Sequence, residues 1–128
     1  MKHKGTVTLE TERLILRPFC MNDLDQIYEN CWSEYDVWKW TNYAPMHCRD
    51  DIINVAGMFT ERWLGGYSKP NRYCWAIQLK ENGEVIGRHG CFLPDDELGQ
   101  IELAYELGKK WCIVAQLSRQ KCKIFIMN

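Results

Sequence analysis

The chain has 128 residues, 46% hydrophobic and 26% charged, with a formal net charge of −1. This composition predicts one globular domain and excludes an intrinsically disordered chain, and the balanced charge gives no basis for general nucleic-acid or anionic-membrane binding. No apolar run approaches the ~20 residues of a membrane span, and the N-terminus lacks the apolar core of a secretory signal. We therefore expect a cytoplasmic protein that binds neither nucleic acid nor a membrane.

The first predicted element is a strand within residues 6–19, because Leu14 and Leu16 alternate with more polar neighbours. Pro18 ends it, since proline has no N–H to donate to a sheet. A helix follows over residues 21–34, with Asn22 or Asp23 as its N-cap. Its apolar residues share one helical face: they are Leu24, Ile27, Tyr28 and Cys31.

Residues 34–50 are aromatic and irregular, which predicts a loop or a broken helix. Asp50 or Asp51 then caps a second helix that runs to about Trp63 and ends at Gly65-Gly66. The predicted buried stripe of this helix consists of Ile52, Val55, Ala56, Phe59 and Trp63.

Three strands are predicted in the remaining chain. Residues 72–80 and 84–93 read as a hairpin, because Asn82-Gly83 is a strong signal for a two-residue turn. Gly87 and Gly90 predict a bulge or a close backbone approach in the return strand. A turn at Pro94 and its acidic neighbours leads to a strand over residues 100–108. Its apolar face holds Ile101, Leu103, Tyr105 and Leu107, and its other face Glu102, Ala104 and Glu106. The order of elements predicts an α+β fold with a mostly antiparallel sheet.

The seven cysteines include no Cys-x-x-Cys pair, and their number is odd. Zinc sites usually contain such pairs, and secreted disulfide frameworks usually have an even count. We therefore predict isolated thiols that pack as small hydrophobic side chains, and no metal site. The adjacent His47 and Cys48 have no second pair to complete a metal site.

Three strings in this order resemble a known family. They are LETERLILRPF followed by DLDQIYEN, then RYCWAIQLKENGEVIGRHGCF, then IELAYELGKKW. Together they resemble the GNAT acyltransferase superfamily, and within it the branch of the ribosomal-protein N-terminal acetyltransferases. The resemblance covers about residues 8–111. It implies a single domain over residues 1–128, with a GNAT-like, mixed but mostly antiparallel sheet and flanking helices.

The resemblance also implies an activity, the transfer of an acetyl group from acetyl-CoA to a primary amine, such as a protein N-terminus. In the family, the strand matching residues 100–108 splays from its neighbour and pairs through its backbone with the pantetheine arm. This role falls on Tyr105, Glu106 and Leu107. Lys109 and Lys110 follow, and we expect them to meet the cofactor phosphates, although a basic pair at a strand end is also an ordinary solvated end.

Two groups of side chains are candidates for catalysis and acceptor binding. Glu102 and His89 could act on the proton of the amine, whereas the alternatives are a solvated strand residue and a structural histidine. The aromatic residues Trp38, Trp40 and Tyr43 lie where the family shapes its acceptor pocket, or else they cover the core.

The sequence departs from the family after Trp111. The Q/R-x-x-G-x-G/A loop that wraps the pyrophosphate is not found there, since no glycine follows Gly108. This predicts an incomplete C-terminal part, which a frameshift or a genuinely short variant would explain, and it leaves open whether the chain is active as it stands. The rival prediction is a non-catalytic module that self-associates, for instance as a homodimer, or binds a protein partner through unpaired sheet edges.

Overall fold

A computed structural model of the chain describes residues 2–38, 46–54 and 62–111. Its strands are β1 (Leu9–Glu10), β2 (Leu14–Arg17), β3 (Tyr73–Leu79), β4 (Val85–Asp95) and β5 (Gln100–Leu107), and its α-helices are α1 (Leu24–Ile27), α2 (Tyr35–Trp38) and α3 (Asp50–Asn54). The strands form one sheet in chain order, and every neighbouring pair is antiparallel. The α+β prediction is confirmed. No helix in the described ranges is long and apolar enough to cross a membrane.

The predicted first strand is in fact two. β1 and β2 pair antiparallel, with Leu9 opposite Leu16. The turn between them forms around Thr11, whose hydroxyl accepts hydrogen bonds from the backbone N–H groups of Arg13 and Leu14. Such local side-chain bonds compete with a continuous strand, which is why the prediction of one element was wrong. β2 does end directly before Pro18, as expected.

The first helical segment begins at a 3-10 turn, Met21–Asp23, continues through α1 and ends in a wider π turn, Tyr28–Trp32. The Asp23 carboxylate accepts hydrogen bonds from the Cys20 backbone N–H at 2.9 Å and from both terminal nitrogens of Arg17 at 2.8 Å. Burial alone would raise the pKa of Asp23, but these hydrogen bonds hold it below its ordinary value. A buried, ionised Asp23 therefore fixes the start of the segment against β2.

The second helical region begins close to the predicted position, but Asp50 and Asp51 lie in the first turn of α3 and not at its cap. α3 starts at Asp50, and the Asp51 carboxylate accepts a hydrogen bond from the His47 backbone N–H at 2.7 Å. The predicted stripe residues Val55, Ala56 and Phe59 lie outside the described residues. The prediction that Gly65-Gly66 end a helix is wrong, because both glycines lie inside a 3-10 segment, Leu64–Ser68.

Two cores lie on the two faces of the sheet. The helix-side core contains Phe19, Leu24, Ile27, Cys31, Trp32, Met46, Ile52, Trp63, Cys74, Ala76 and Val85. The far-side core contains Leu14, Leu16, Trp75, Ile77, Leu79, Ile86, Cys91 and Leu107. Each strand of the central hairpin thus buries side chains on both faces.

Of the described cysteines, Cys31, Cys74 and Cys91 are buried as predicted, whereas Cys20 and Cys48 are exposed. No group of three potential metal ligands occurs in the part of the chain that the structure describes.

The hairpin turns at Gly83, which has a φ of +73°, so the predicted position of the turn is confirmed. The predicted length of two residues is wrong, because residues 80–83 lie between Leu79 and Glu84, which hydrogen-bond through their backbones. Gly87 lies where β4 and β5 approach closely, since a Cβ added there would meet the Glu106 carbonyl oxygen at only 2.2 Å. The predicted close backbone approach is therefore present at Gly87.

We expect Gly87→Ala to lower the free energy of unfolding by about 2–3 kcal/mol, because the added methyl must push two paired backbones apart. Urea denaturation measures the change. Gly66→Ala is the matched control, since its new Cβ would meet Arg72 side-chain atoms at 3.5 and 3.7 Å, which are ordinary contacts. Equal losses in the two variants would show that the close approach at Gly87 is not a constraint.

Candidate active site

A cavity of about 450 Å³ opens between the β4–β5 pair and the segment around the 3-10 turn Leu64–Ser68. This volume lies in the range of sites for small ligands. β5 contributes Glu102, Ala104 and Glu106 to the cavity lining. These three residues alternate along the strand and therefore lie on one face of the sheet. The other lining residues are Arg62, Trp63, Gly66, Tyr67, Arg72, Tyr73, Cys74, Arg88, Cys91 and Phe92.

The strand register decides which candidate residues share this face. Arg88 is opposite Glu106 and Phe92 is opposite Glu102, so these four side chains lie on the cavity side. His89, the residue after Arg88 in β4, is opposite Tyr105 and Trp75. Because successive side chains of a strand point to opposite faces of the sheet, His89 points away from the cavity.

The two candidates for catalysis are consequently separated by the sheet. Glu102 is exposed and lines the cavity. His89 is only 3% exposed, and its ring lies 5.7 Å from the ring of Trp75 in the far-side core. The structure does not bring Glu102 and His89 into one site.

Arg88 and Glu106 form a buried ion pair in the cavity wall. Two guanidinium nitrogens of Arg88 bind the two carboxylate oxygens of Glu106 at 2.6 and 2.5 Å, and the side chains are 4% and 10% exposed. The guanidinium carbon also lies 5.0 Å from the ring centre of Trp63 and 5.4 Å from that of Phe92. Such bidentate pairing leaves each charge compensated by the other.

Two other groups in the cavity wall stay protonated at neutral pH. The Tyr67 hydroxyl donates to the Cys74 carbonyl oxygen at 2.8 Å and accepts from the Phe19 backbone N–H at 2.7 Å. Burial raises the pKa of Tyr67 above its ordinary value and the pKa of the Cys74 thiol to about 12. Neither group therefore supplies a base or a thiolate nucleophile.

The family is settled by sequence. The model of the acetyltransferase (GNAT) domain matches residues 13–113. The chain belongs to the GNAT acetyltransferase family. It is 35% identical over 102 residues to the uncharacterized N-acetyltransferase p20 of Bacillus licheniformis, which covers 80% of this chain and 54% of the relative. It is also 26% identical over 99 residues to the uncharacterized N-acetyltransferase YoaA of Bacillus subtilis (strain 168). This match covers 77% of this chain and 53% of the relative. The chain thus spans about half the length of these curated relatives.

A solved structure shows the same fold. The crystal structure of a GCN5-related N-acetyltransferase from Brucella melitensis superposes with a TM-score of 0.72 at 19% identity, covering 98% of this chain and 58% of the other. The resemblance drawn from the sequence strings and the GNAT-like fold are both confirmed.

GNAT enzymes generally use acetyl-CoA, and β5 has one edge to which an extended segment can be added. β5 pairs with β4 along one edge, and no described strand pairs with its other edge. Since backbone groups in a strand point alternately to its two edges, β5 presents N–H and C=O groups that an added extended segment can bind. Tyr105, Glu106 and Leu107 lie in this strand. Residues 112–128, where the family's phosphate loop falls, lie outside the described residues.

The two predicted phosphate contacts differ in their surroundings. The Lys109 backbone N–H donates to the Glu34 carboxylate at 2.8 Å, and its Nζ lies 3.2 Å from an Asp36 carboxylate oxygen. Lys110 Nζ lies 5.2 Å from the ring centre of Trp111. Both lysines are exposed just beyond the end of β5. Because the Lys109–Asp36 pair is exposed to water, it contributes little to stability.

The aromatic acceptor candidates cannot be placed in the cavity. Trp38 ends α2, and its side chain is not described, while Trp40 and Tyr43 lie outside the described residues. Arg88 was not among the site residues predicted from the sequence. A signal for it existed, since an arginine in an otherwise apolar strand needs a partner, and Glu106 occupies the neighbouring strand.

Proposed function

We propose that this GNAT chain transfers the acetyl group of acetyl-CoA to a primary amine in the cavity beside β5. One observation carries the proposal: β5 presents a strand edge without a described neighbour and also lines the cavity with the exposed carboxylate of Glu102. Donor and acceptor can therefore meet along a single strand.

On the donor side, backbone groups of Tyr105, Glu106 and Leu107 hold the pantetheine arm as an added strand would. Lys109 and Lys110 attract the phosphates as point charges just beyond the strand end. Bound in this way, acetyl-CoA supplies an activated acetyl thioester. The chain's part is to hold the donor in register with the cavity.

On the acceptor side, the amine must lose a proton before or during its attack. Glu102 accepts this proton, directly or through a water molecule, and is the general base of the proposal. Tyr67 and Cys74 keep their protons, and we assign His89 a packing role on the far side of the sheet. Trp38, Trp40 and Tyr43 remain proposed contacts for the acceptor, which includes protein N-termini by family resemblance.

The test is acetyl transfer by the purified chain to a panel of primary amines that includes peptides with free N-termini. We expect CoA release, acetylated product by mass spectrometry, and thermal stabilisation by acetyl-CoA. At 100 times its dissociation constant, a ligand that binds only the folded state adds about 2.7 kcal/mol of stability. The absence of both thermal stabilisation and acetylated product at millimolar acetyl-CoA would contradict the proposal.

A second candidate function is a self-associating module, favoured by the same strand. Leu103 and Tyr105 on β5 are 38% and 37% exposed, next to an edge that no described strand covers. Open edges pair readily with another chain. Light scattering beside the transfer assay separates the two functions, since a dimer without turnover favours the module and a monomer with turnover excludes it.

A further inference from the structure

The cavity wall carries positive and negative side chains, and only some of them are paired with each other. Arg88 and Glu106 compensate each other in the buried pair. Glu102, Arg62 and Arg72 also line the cavity, and all three residues are exposed. In the described ranges, Arg72 and Glu102 form no ion pair and no side-chain hydrogen bond.

Arg72 is anchored although its charged end is not engaged. Its backbone N–H donates to the Lys69 carbonyl oxygen at 3.3 Å, and its carbonyl oxygen accepts from the Thr6 hydroxyl at 3.1 Å. Its side-chain stem packs over Gly66, where an added Cβ would lie 3.5 Å from the Arg72 Cβ. These contacts hold the backbone of Arg72 and the base of its side chain beside the cavity.

One cavity thus presents the carboxylate of Glu102 from β5 and the guanidinium of Arg72 from the residue directly before β3. A ligand that satisfies both groups carries a cationic amine and an anion. Resting on the proposed function, we infer that the cavity selects primary amines that bear a carboxylate close to the amine, with Glu102 receiving the amine and Arg72 the carboxylate. Guanidinium groups bind carboxylates through two parallel hydrogen bonds, and Arg62 adds positive charge to the same wall.

Two kinds of acceptor share this chemistry, a peptide with an acidic residue near its N-terminus and a free acidic amino acid. Calorimetry should compare three C-terminally amidated peptides with free N-termini, Ala-Asp-Ala, Ala-Asn-Ala and Ala-Lys-Ala, together with free aspartate. We expect Ala-Asp-Ala to bind about tenfold more tightly than Ala-Asn-Ala, in line with a charge-assisted contact. Tight binding of aspartate as well supports the inference and identifies a small acceptor, whereas binding of the peptide alone identifies a peptide acceptor.

Substitutions of Arg72 test whether this residue causes the preference for the acidic peptide. Arg72→Gln should abolish the preference for Ala-Asp-Ala, and Arg72→Glu should reverse it in favour of Ala-Lys-Ala. Lys69→Gln removes a positive charge from an exposed residue outside the cavity lining and should leave the preference intact. Thermal denaturation checks that the variants are folded. Equal affinity for the acidic and neutral peptides, a preference that survives Arg72→Gln, or no binding of any peptide would overturn the inference.

Binding and turnover separate this inference from the proposed function. An acidic preference in binding, without acetylated product, contradicts acetyl transfer and leaves the selectivity standing. Acetylation of all three peptides with equal affinity supports acetyl transfer and overturns the selectivity. Raising the salt concentration should reduce the preference, because the two cavity charges are exposed to solvent.

Discussion

Replacing Glu102 with glutamine is expected to lower kcat for acetyl transfer by about 100-fold, because a positioned general base contributes ~10²- to 10⁴-fold. Glutamine keeps the shape of the side chain and cannot take a proton. The dissociation constant of acetyl-CoA should not change, since the donor is held by β5 backbone groups and the lysines beyond them. Steady-state kinetics and calorimetry measure the two quantities.

Glu97→Gln is the matched control, because Glu97 is an exposed glutamate in the turn before β5 and does not line the cavity. It should leave kcat unchanged. If Glu102→Gln retains the wild-type kcat, solvent or another group takes the proton and Glu102 is not the base.

Arg88→Met is expected to lower the free energy of unfolding by about 3–5 kcal/mol, because it leaves the Glu106 carboxylate buried without its cation. The double variant Arg88→Met/Glu106→Leu should recover most of this loss, since two apolar side chains need no compensation. Urea denaturation of the two single variants and the double variant gives the coupling between the residues.

The exposed pair of Glu10 in β1 and Lys80 directly after β3, 3.0 Å apart, provides the comparison. Lys80→Met should cost less than about 1 kcal/mol, because water already screens both charges. If Arg88→Met costs no more than Lys80→Met, then water reaches Glu106 and the pair does not hold β5 against β4.

Much of the fold could be predicted from local sequence. The Asn82-Gly83 turn, the breaking proline after β2 and the period-two pattern of β5 each depend on a few adjacent residues. The split of the first strand was missed because it depends on the hydroxyl of one residue, Thr11, whose environment is set by the folded turn.

The site was less predictable because it depends on register. Whether His89 and Glu102 share a face is decided by how β3, β4 and β5 pair, and the register shifts near Ile77/Gln78 and near Phe92/Asp95. A shift of one residue moves every side chain to the opposite face. Sequence alone identified both residues as candidates and could not tell that the sheet separates them.

Thr6 links the cavity wall to the beginning of the chain. Its hydroxyl donates to the Arg72 carbonyl oxygen and accepts from the Cys74 backbone N–H, contacts that join residues 66 and 68 positions apart. Closing a loop of this length costs entropy, so these two bonds are stable only once the rest of the sheet has brought Thr6 next to Arg72 and Cys74. A substitution at Thr6 can therefore shift Arg72 without touching a ligand in the cavity.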